Sequence, residues 1–279
     1  MSEARPWPQR AAEVLAVLNH VDWTRGDTSE HSFASALRNA SANRYTNVLP
    51  YDHALLPDPY VNASRIPPLP ESSAGAASCI ASQAPTPSTF GAFYHHLCAE
   101  RVGVLLNLTP LVERDMIKSH QYWPSSTSSP IEEGEWVVRM LGEEPSETRG
   151  LILRRLQLTH GEASHELTLL HYTGWQDHGA LPTPQLMGLL TAVEQARLGA
   201  EAAPLWVHCS AGIGRSGTLI GAFLAQQLPA AQRTAVPSMD LAAYITRHMR
   251  HFRAGMVQTP GQLVTLASAI ELAAQASQS

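Results

Sequence analysis

The stretch Leu205–Thr218, LWVHCSAGIGRSGT, constrains this chain more than any other. A short run with strand character, Leu205–His208, ends abruptly at Cys209, passes through a loop holding Gly212 and Gly214, and gives way to a helical pattern from Arg215. Glycines allow the backbone N–H groups of Ser210, Ala211, Gly212, Ile213 and Gly214 to turn toward a common centre. The N-terminus of the following helix adds positive partial charge. An anion cradle of phosphate size is therefore expected. Arg215 would close it with a planar guanidinium that keeps its proton and binds oxygens in pairs. The same field should hold Cys209 as a thiolate, as at other helix N-termini where thiol pKa values fall to about 3.5–7.5. A buried structural cysteine beside a tight turn would need no arginine placed after five intervening residues. A thiolate inside such a cradle is suited to taking a phosphoryl group from an ester.

The 279 residues suffice for one large domain, and 44% hydrophobic against 15% charged residues is a globular balance. A formal net charge of −5 with no basic stripe argues against a nucleic-acid partner. Cys79, Cys98 and Cys209 are too few and too scattered for a disulfide framework. No apolar run reaches the roughly 18 residues a membrane span needs, and Met1–Arg10 is polar, unlike a signal peptide. A cytoplasmic protein without a membrane segment is expected. Helical spacing of Ala11, Val14, Leu15 and Leu18 predicts a short opening helix, followed by coil to about Asn43. Strands are predicted at Val102–Leu108, Glu135–Leu141, Leu151–Leu158, Leu167–Tyr172 and Leu205–His208. Helices are predicted at Pro184–Leu198, Arg215–Leu228, Asp240–Arg250 and Gln262–Ala274. Segments 67–78 and 124–130, rich in Pro, Ser, Ala and Gly, read as surface loops. Strands first and helices later suggest an α+β domain.

Further motifs stand in order along the chain: Asn43-Arg44-Tyr45 with Asn47-Val48-Leu49-Pro50-Tyr51-Asp52, then Tyr60-Val61-Asn62-Ala63-Ser64, Ser82-Gln83-Ala84-Pro85, Glu113 through Tyr122-Trp123-Pro124, Trp175-Gln176-Asp177, and Gln258-Thr259 with Gln262. With VHCSAGIGRSG unbroken at 207–217, they resemble the cysteine-dependent protein tyrosine phosphatases, of the non-receptor, single-domain type. The resemblance covers about residues 40–275 and leaves 1–39 as an N-terminal helical and coil extension. It implies one catalytic domain over 1–279, built as a highly twisted mixed β-sheet flanked by α-helices.

That resemblance implies roles residue by residue. Cys209 would form a phosphocysteine, Arg215 would bind the phosphate with the 210–214 loop, and Asp177 would be the acid that protonates the leaving phenolate and later the base. Gln262, with Gln258, would aim a water, and Ser216 would donate to the sulfur or help release phosphate. Tyr45 and Asn47 would bind substrate, the ring making the pocket deep enough to exclude phosphoserine. His208 would brace the cradle, Glu113 and Lys118 would steer Arg215 and Asp177, and Trp175 would anchor a lid hinged at Gly174 and Gly179. Gln176 departs from the family's proline and is expected to alter lid kinetics without abolishing activity. Cys79 replaces a usual aromatic, and His178 beside the acid is unusual. His95, His96 and Cys98, or His248 and His251, make no four-ligand metal pattern and read as helix-surface residues. No metal or cofactor is expected. The partners implied are phosphotyrosine-containing signalling proteins, met by a monomer. A phosphotyrosine-binding pseudophosphatase and a dual-specificity or phosphoinositide phosphatase stay open. The first would predict loss of Cys209, Arg215 or Asp177; the second, added lysines in the cradle.

Overall fold

A computed structural model describes residues 6–25 and 30–276 of the chain. The expectations at Met1–Arg10 and for the coil before Asn43 therefore fall partly outside the described residues. The chain opens with helices α1 (Trp7–Arg25) and α2 (Ala34–Arg38), strands β1 (Ala63–Ile66) and β2 (Cys79–Ser82), and helix α3 (Phe90–Ala99). Strands β3 (Val104–Asn107), β4 (Val112–Glu113), β5 (Met116–Ile117), β6 (Ile131–Glu133), β7 (Trp136–Pro145), β8 (Leu151–His160) and β9 (Ala163–Tyr172) follow. Then come α4 (Thr183–Ala196), β10 (Leu205–His208), α5 (Gly214–Gln226), α6 (Ala230–Thr234), α7 (Ser238–Phe252) and α8 (Pro260–Ala276).

Eight strands form one mixed sheet in the order β1-β2-β10-β3-β9-β8-β7-β6. The central four, β2, β10, β3 and β9, run parallel, and antiparallel pairs extend both sides. Strand β10 is buried on both faces, and its side chains alternate between two cores. Leu205 and Val207 join the layer beneath α1, α4, α5, α7 and α8, whereas Trp206 joins the layer beneath α3. Helix α5 is buried from Gly214 to Ala225; Leu219–Ala225 is apolar throughout, while the buried polar residues of its first turns, Arg215, Ser216 and Thr218, face the end of the sheet where β10 stops. The parallel strands end together, so β10 delivers Cys209 to the sheet's carboxyl edge beside Ser82 and Asn107. That is where open α/β sheets bind ligands.

Several elements exceed their sequence-based limits. Helix α1 continues past Leu18 because Arg250, buried on α7, bonds Asn19 (2.9 Å) and Asp22 (3.0 Å) on the polar extension. Strand β7 runs beyond Leu141, where Glu143 accepts from Arg154 of β8 at 2.6 Å. The β8–β9 hairpin carries both strands through polar residues to a turn at Gly161, φ 57°. Helix α3 escapes a propensity reading because its sequence is aromatic and includes Gly91. It forms because Phe90, Phe93, Tyr94 and Leu97 make one apolar face and a Thr86/Thr89 capping box precedes it. Within it, His95 is exposed but His96 is buried, its Nε2 2.6 Å from the Pro59 carbonyl. The surface reading of His96 is thereby corrected, as it is for His248 and His251, both half-buried.

Candidate active site

Gly212 adopts φ +71°, and a Cβ there would lie 1.9 Å from the Ser82 carbonyl oxygen, so only glycine fits where the loop crosses the end of β2. The loop's outer carbonyls are tied down by Arg253, whose Nε donates to Gly212 O (2.9 Å) and Nη2 to Ala211 O (3.0 Å). Arg253 is fully buried and also donates to Asn62 Oδ1 at 2.8 Å; burial pushes its pKa down to about 10. With these carbonyls held outward, the Gly212 N–H points at Cys209 Sγ, 3.2 Å away. Burial opposes ionisation of Cys209. The charge of Arg215, the hydroxyl and N–H of Ser216, and the N–H of Gly212 outweigh it and hold the thiol below its ordinary range. The Ser216 hydroxyl is buried with no hydrogen-bond partner of its own, and its nearness to the sulfur favours the Cys209 anion.

Two histidine contacts brace the strand end. Tyr122 Oη and His208 Nε2 lie 2.7 Å apart, and His208 Nδ1 is 3.0 Å from the Cys209 carbonyl. Burial drives the His208 pKa to about 3, so the ring is neutral and suited to bracing rather than proton transfer.

The segment around Asp177 is folded over the cleft. Trp175 is buried, its indole N–H bonded to Gly179 O at 2.9 Å. Arg215 reaches it twice, donating to Trp175 O (2.9 Å) and to Asp177 Oδ1 (3.1 Å). Lys118 Nζ holds Asp177 Oδ2 at 2.8 Å, while Glu113 accepts the Asp177 N–H at 2.9 Å and stands 3.5 Å from Arg215. Burial alone would raise the Asp177 pKa. The Lys118 hydrogen bond and the charges of Arg215, Lys118 and His178 bring it below the ordinary carboxylate value. Gln176 is exposed, and its carbonyl accepts from the Gly179 N–H at 3.1 Å, so the segment closes without a proline.

The cleft, about 210 Å³, is lined by Tyr45, Asn47, Lys118, Asp177, Cys209, Ser210, Arg215, Gln258 and Gln262, among others. Tyr45 stands at its wall with Oη 2.7 Å from Ser210 Oγ, which in turn donates to Lys118 O. Gln262 is fully buried: its Oε1 accepts from the N–H of Gln258 (2.9 Å) and Thr259 (3.3 Å), leaving Nε2 without a protein partner. Ile213 turns its side chain into the core and contributes only backbone to the loop. A larger cavity of about 760 Å³ lies between the β8–β9 turn and residues 199–204. Its cysteine, Cys98, is pushed up by burial to about 11, the opposite of the shift at Cys209.

All the sequence-predicted site residues thus converge on one end of the sheet. Arg253 carries no signal in sequence, because nothing about a lone arginine after a helix shows that it will be buried. Gln83, which in sequence is only part of a turn motif, accepts the Arg44 N–H (2.7 Å) and donates to Ala42 O (2.7 Å), so it fixes the Tyr45 loop.

The family model for protein-tyrosine phosphatase matches residues 39–271. The chain belongs to the protein-tyrosine phosphatase family. It is 34% identical over 257 residues to the human receptor-type tyrosine-protein phosphatase H, covering 86% of this chain and 22% of that protein. It is 36% identical over 246 residues to the mouse tyrosine-protein phosphatase non-receptor type 4, covering 86% and 26%. The chain therefore spans about a quarter of the length of these two curated relatives. Among phosphatase structures, that of a Trypanosoma cruzi protein tyrosine phosphatase superposes with a TM-score of 0.81 at 27% identity, covering 97% of each chain. The catalytic domain of human protein tyrosine phosphatase non-receptor type 18 gives 0.81 at 27% identity, covering 95% of this chain and 96% of that one.

Proposed function

We propose that this chain is an active protein tyrosine phosphatase that hydrolyses phosphotyrosine in proteins through a phosphocysteine on Cys209. The observation that carries the reading is the convergence of a thiolate-stabilising loop, a buried Arg215 and a closed Asp177 on one small cleft. In the first step Cys209 Sγ attacks phosphorus, the P–O bond to the tyrosine ring breaks, and Asp177 gives its proton to the departing phenolate. Asp177 sits low in the phosphate-free cleft because Lys118 and Arg215 stabilise its anion. A bound phosphate dianion engages Arg215 and repels a second negative charge, which raises the acid toward its protonated form. In the second step the Gln262 amide orients a water, Asp177 accepts its proton as the water oxygen bonds to phosphorus, and the S–P bond breaks, its electron pair returning to Cys209 Sγ and freeing inorganic phosphate.

Gln258 assists Gln262, and Ser216 stabilises the thiolate as leaving group. Glu113, Lys118 and Trp175 hold the closed lid, and His208 braces the cradle. Asn47 at the rim binds substrate beside Tyr45. Residues 1–279 are taken as one catalytic domain, supported by one eight-stranded sheet that carries a hydrophobic core on each face, with β4 and β5 as a separate two-stranded ribbon. A monomer working in the cytoplasm on signalling proteins, without nucleic acid, fits the net charge of −5 and the free state of Cys79, Cys98 and Cys209. A thiolate nucleophile persists only where thiols stay reduced. Among the described residues no helix is long and apolar enough to cross a membrane.

The test separates leaving groups. Asp177→Ala should slow hydrolysis of phosphotyrosine peptides by about 10²–10⁴, and an aryl phosphate with an acidic phenol much less. Equal slowing of both, read from kcat under saturating substrate, would put the acid elsewhere. Tyr45→Ala should raise KM for phosphotyrosine peptides about tenfold with a smaller change in kcat, since stacking is made in the ground state. Wild-type rates on phosphoserine peptides comparable to those on phosphotyrosine would move the protein to the dual-specificity class.

A further inference from the structure

Outside the cleft, Glu30, His31 and His251 each bring a ligand atom to within 4.8 Å of the others. They come from opposite ends of the chain, so no spacing motif announces them. His31 is buried, its ring set edge-on to Tyr51 at 4.8 Å and to His251 at 5.3 Å. His53 flanks both rings, at 5.4 and 5.3 Å, and its Nε2 lies 3.0 Å from the His251 carbonyl. The segment after His31 is itself anchored, with Ser32 Oγ donating to Asp52 at 2.7 Å and the Ser35 N–H at 3.0 Å. Packing therefore presents two imidazoles side by side, while the third ligand, Glu30, is exposed and free to adjust its rotamer.

Two imidazoles and a carboxylate suit zinc and its late first-row neighbours, not Ca²⁺ or Mg²⁺, which ask for six or more oxygens. A tetrahedral ion at about 2.0–2.1 Å from each ligand needs ligand atoms about 3.3 Å apart. A contraction of about 1.5 Å, taken up by Glu30 and small ring rotations, closes the set. We propose that Glu30, His31 and His251 form a Zn²⁺-type site with three protein ligands and a fourth position left to water. Its role is structural. His251 follows Arg250, which donates to the Met256 and Val257 carbonyls, and precedes Arg253, which holds the cradle. A bound ion would fasten the segment that backs the phosphate loop to the residues that lead into α2.

The test uses the full chain with Cys209→Ser, which removes the one stabilised thiolate; burial keeps Cys79 and Cys98 as thiols at about 12 and 11. Equilibrium dialysis against ZnCl₂ with metal analysis should find one ion per chain. At a hundredfold excess over Kd the Tm should rise by about 5 °C. Glu30→Gln and His251→Gln should each weaken binding at least about tenfold, whereas His248→Gln, whose ring bonds the Pro67 carbonyl instead, should not. Co²⁺ in place of Zn²⁺ should show the intense visible bands of a four-coordinate ion. Substoichiometric zinc at saturation, unchanged affinity in both ligand variants, or only the weak bands of hydrated Co²⁺ would each overturn the site.

Discussion

Cys209→Ser is expected to lower turnover of phosphotyrosine substrates by on the order of 10⁴–10⁶. Everything the loop does for the sulfur depends on its ionising. Arg215, Ser216 and the Gly212 N–H lower the thiol's pKa and favour the thiolate, but no comparable field ionises an alcohol near neutral pH. The variant should still bind phosphate, since Arg215 and the loop amides are untouched, and removing the thiolate's charge also removes a repulsion of the dianion. Single-turnover kinetics and calorimetric titration with a phosphotyrosine peptide read the two effects separately. Turnover within tenfold of wild type would remove Cys209 from the reaction, and lost peptide affinity would show that the substitution disturbed the loop.

Gly212→Ala should cost both the cradle and part of the fold. The methyl group would sit 1.9 Å from Ser82 O at a backbone φ of +71°. The left-handed conformation costs about 1–2 kcal/mol in a residue with a Cβ, and the forced shift of β2 or the loop another 1–3 kcal/mol. A Tm lower by about 10 °C follows. Displaced amides should also reduce kcat/KM by about 10² or more. Gly75→Ala is the control: it has a φ of +81° but nothing within 4 Å, so it carries the backbone cost alone and should leave kinetics unchanged. Equal Tm losses in the two variants would show that the Ser82 contact is not what reserves position 212 for glycine.

How far sequence reached can be read from these residues. The strand–loop–helix unit at 205–218 was legible because its chemistry is local: apolar run, glycines, arginine and helix start all fall within one short window. The lid, the Tyr45 loop and the glutamines were legible only through an ordered set of motifs, since nothing in periodicity joins Asp177 to Cys209. Arg253 and Gln83 were not legible as supports, because their importance lies in which carbonyls and amides they meet after folding. Helix α3, the far ends of α1, β7 and β8 and the start of β9 are not legible for a related reason. Tertiary partners such as Arg250 and Arg154 stabilise polar stretches that local propensity would release. The cluster of Glu30, His31 and His251 is the extreme case, assembled only by the fold.

The central claim is that Cys209 carries the phosphoryl group between the two steps. Mixing the wild-type chain, or a Gln262→Ala variant in which the second step is slowed, with a phosphotyrosine peptide and quenching in acid should trap it. Peptide mass spectrometry should then find one added phosphoryl group on the fragment containing Cys209, formed as fast as the phenol is released. Phenol release with no mass change on that fragment, or the group on another residue such as His178, would contradict the account.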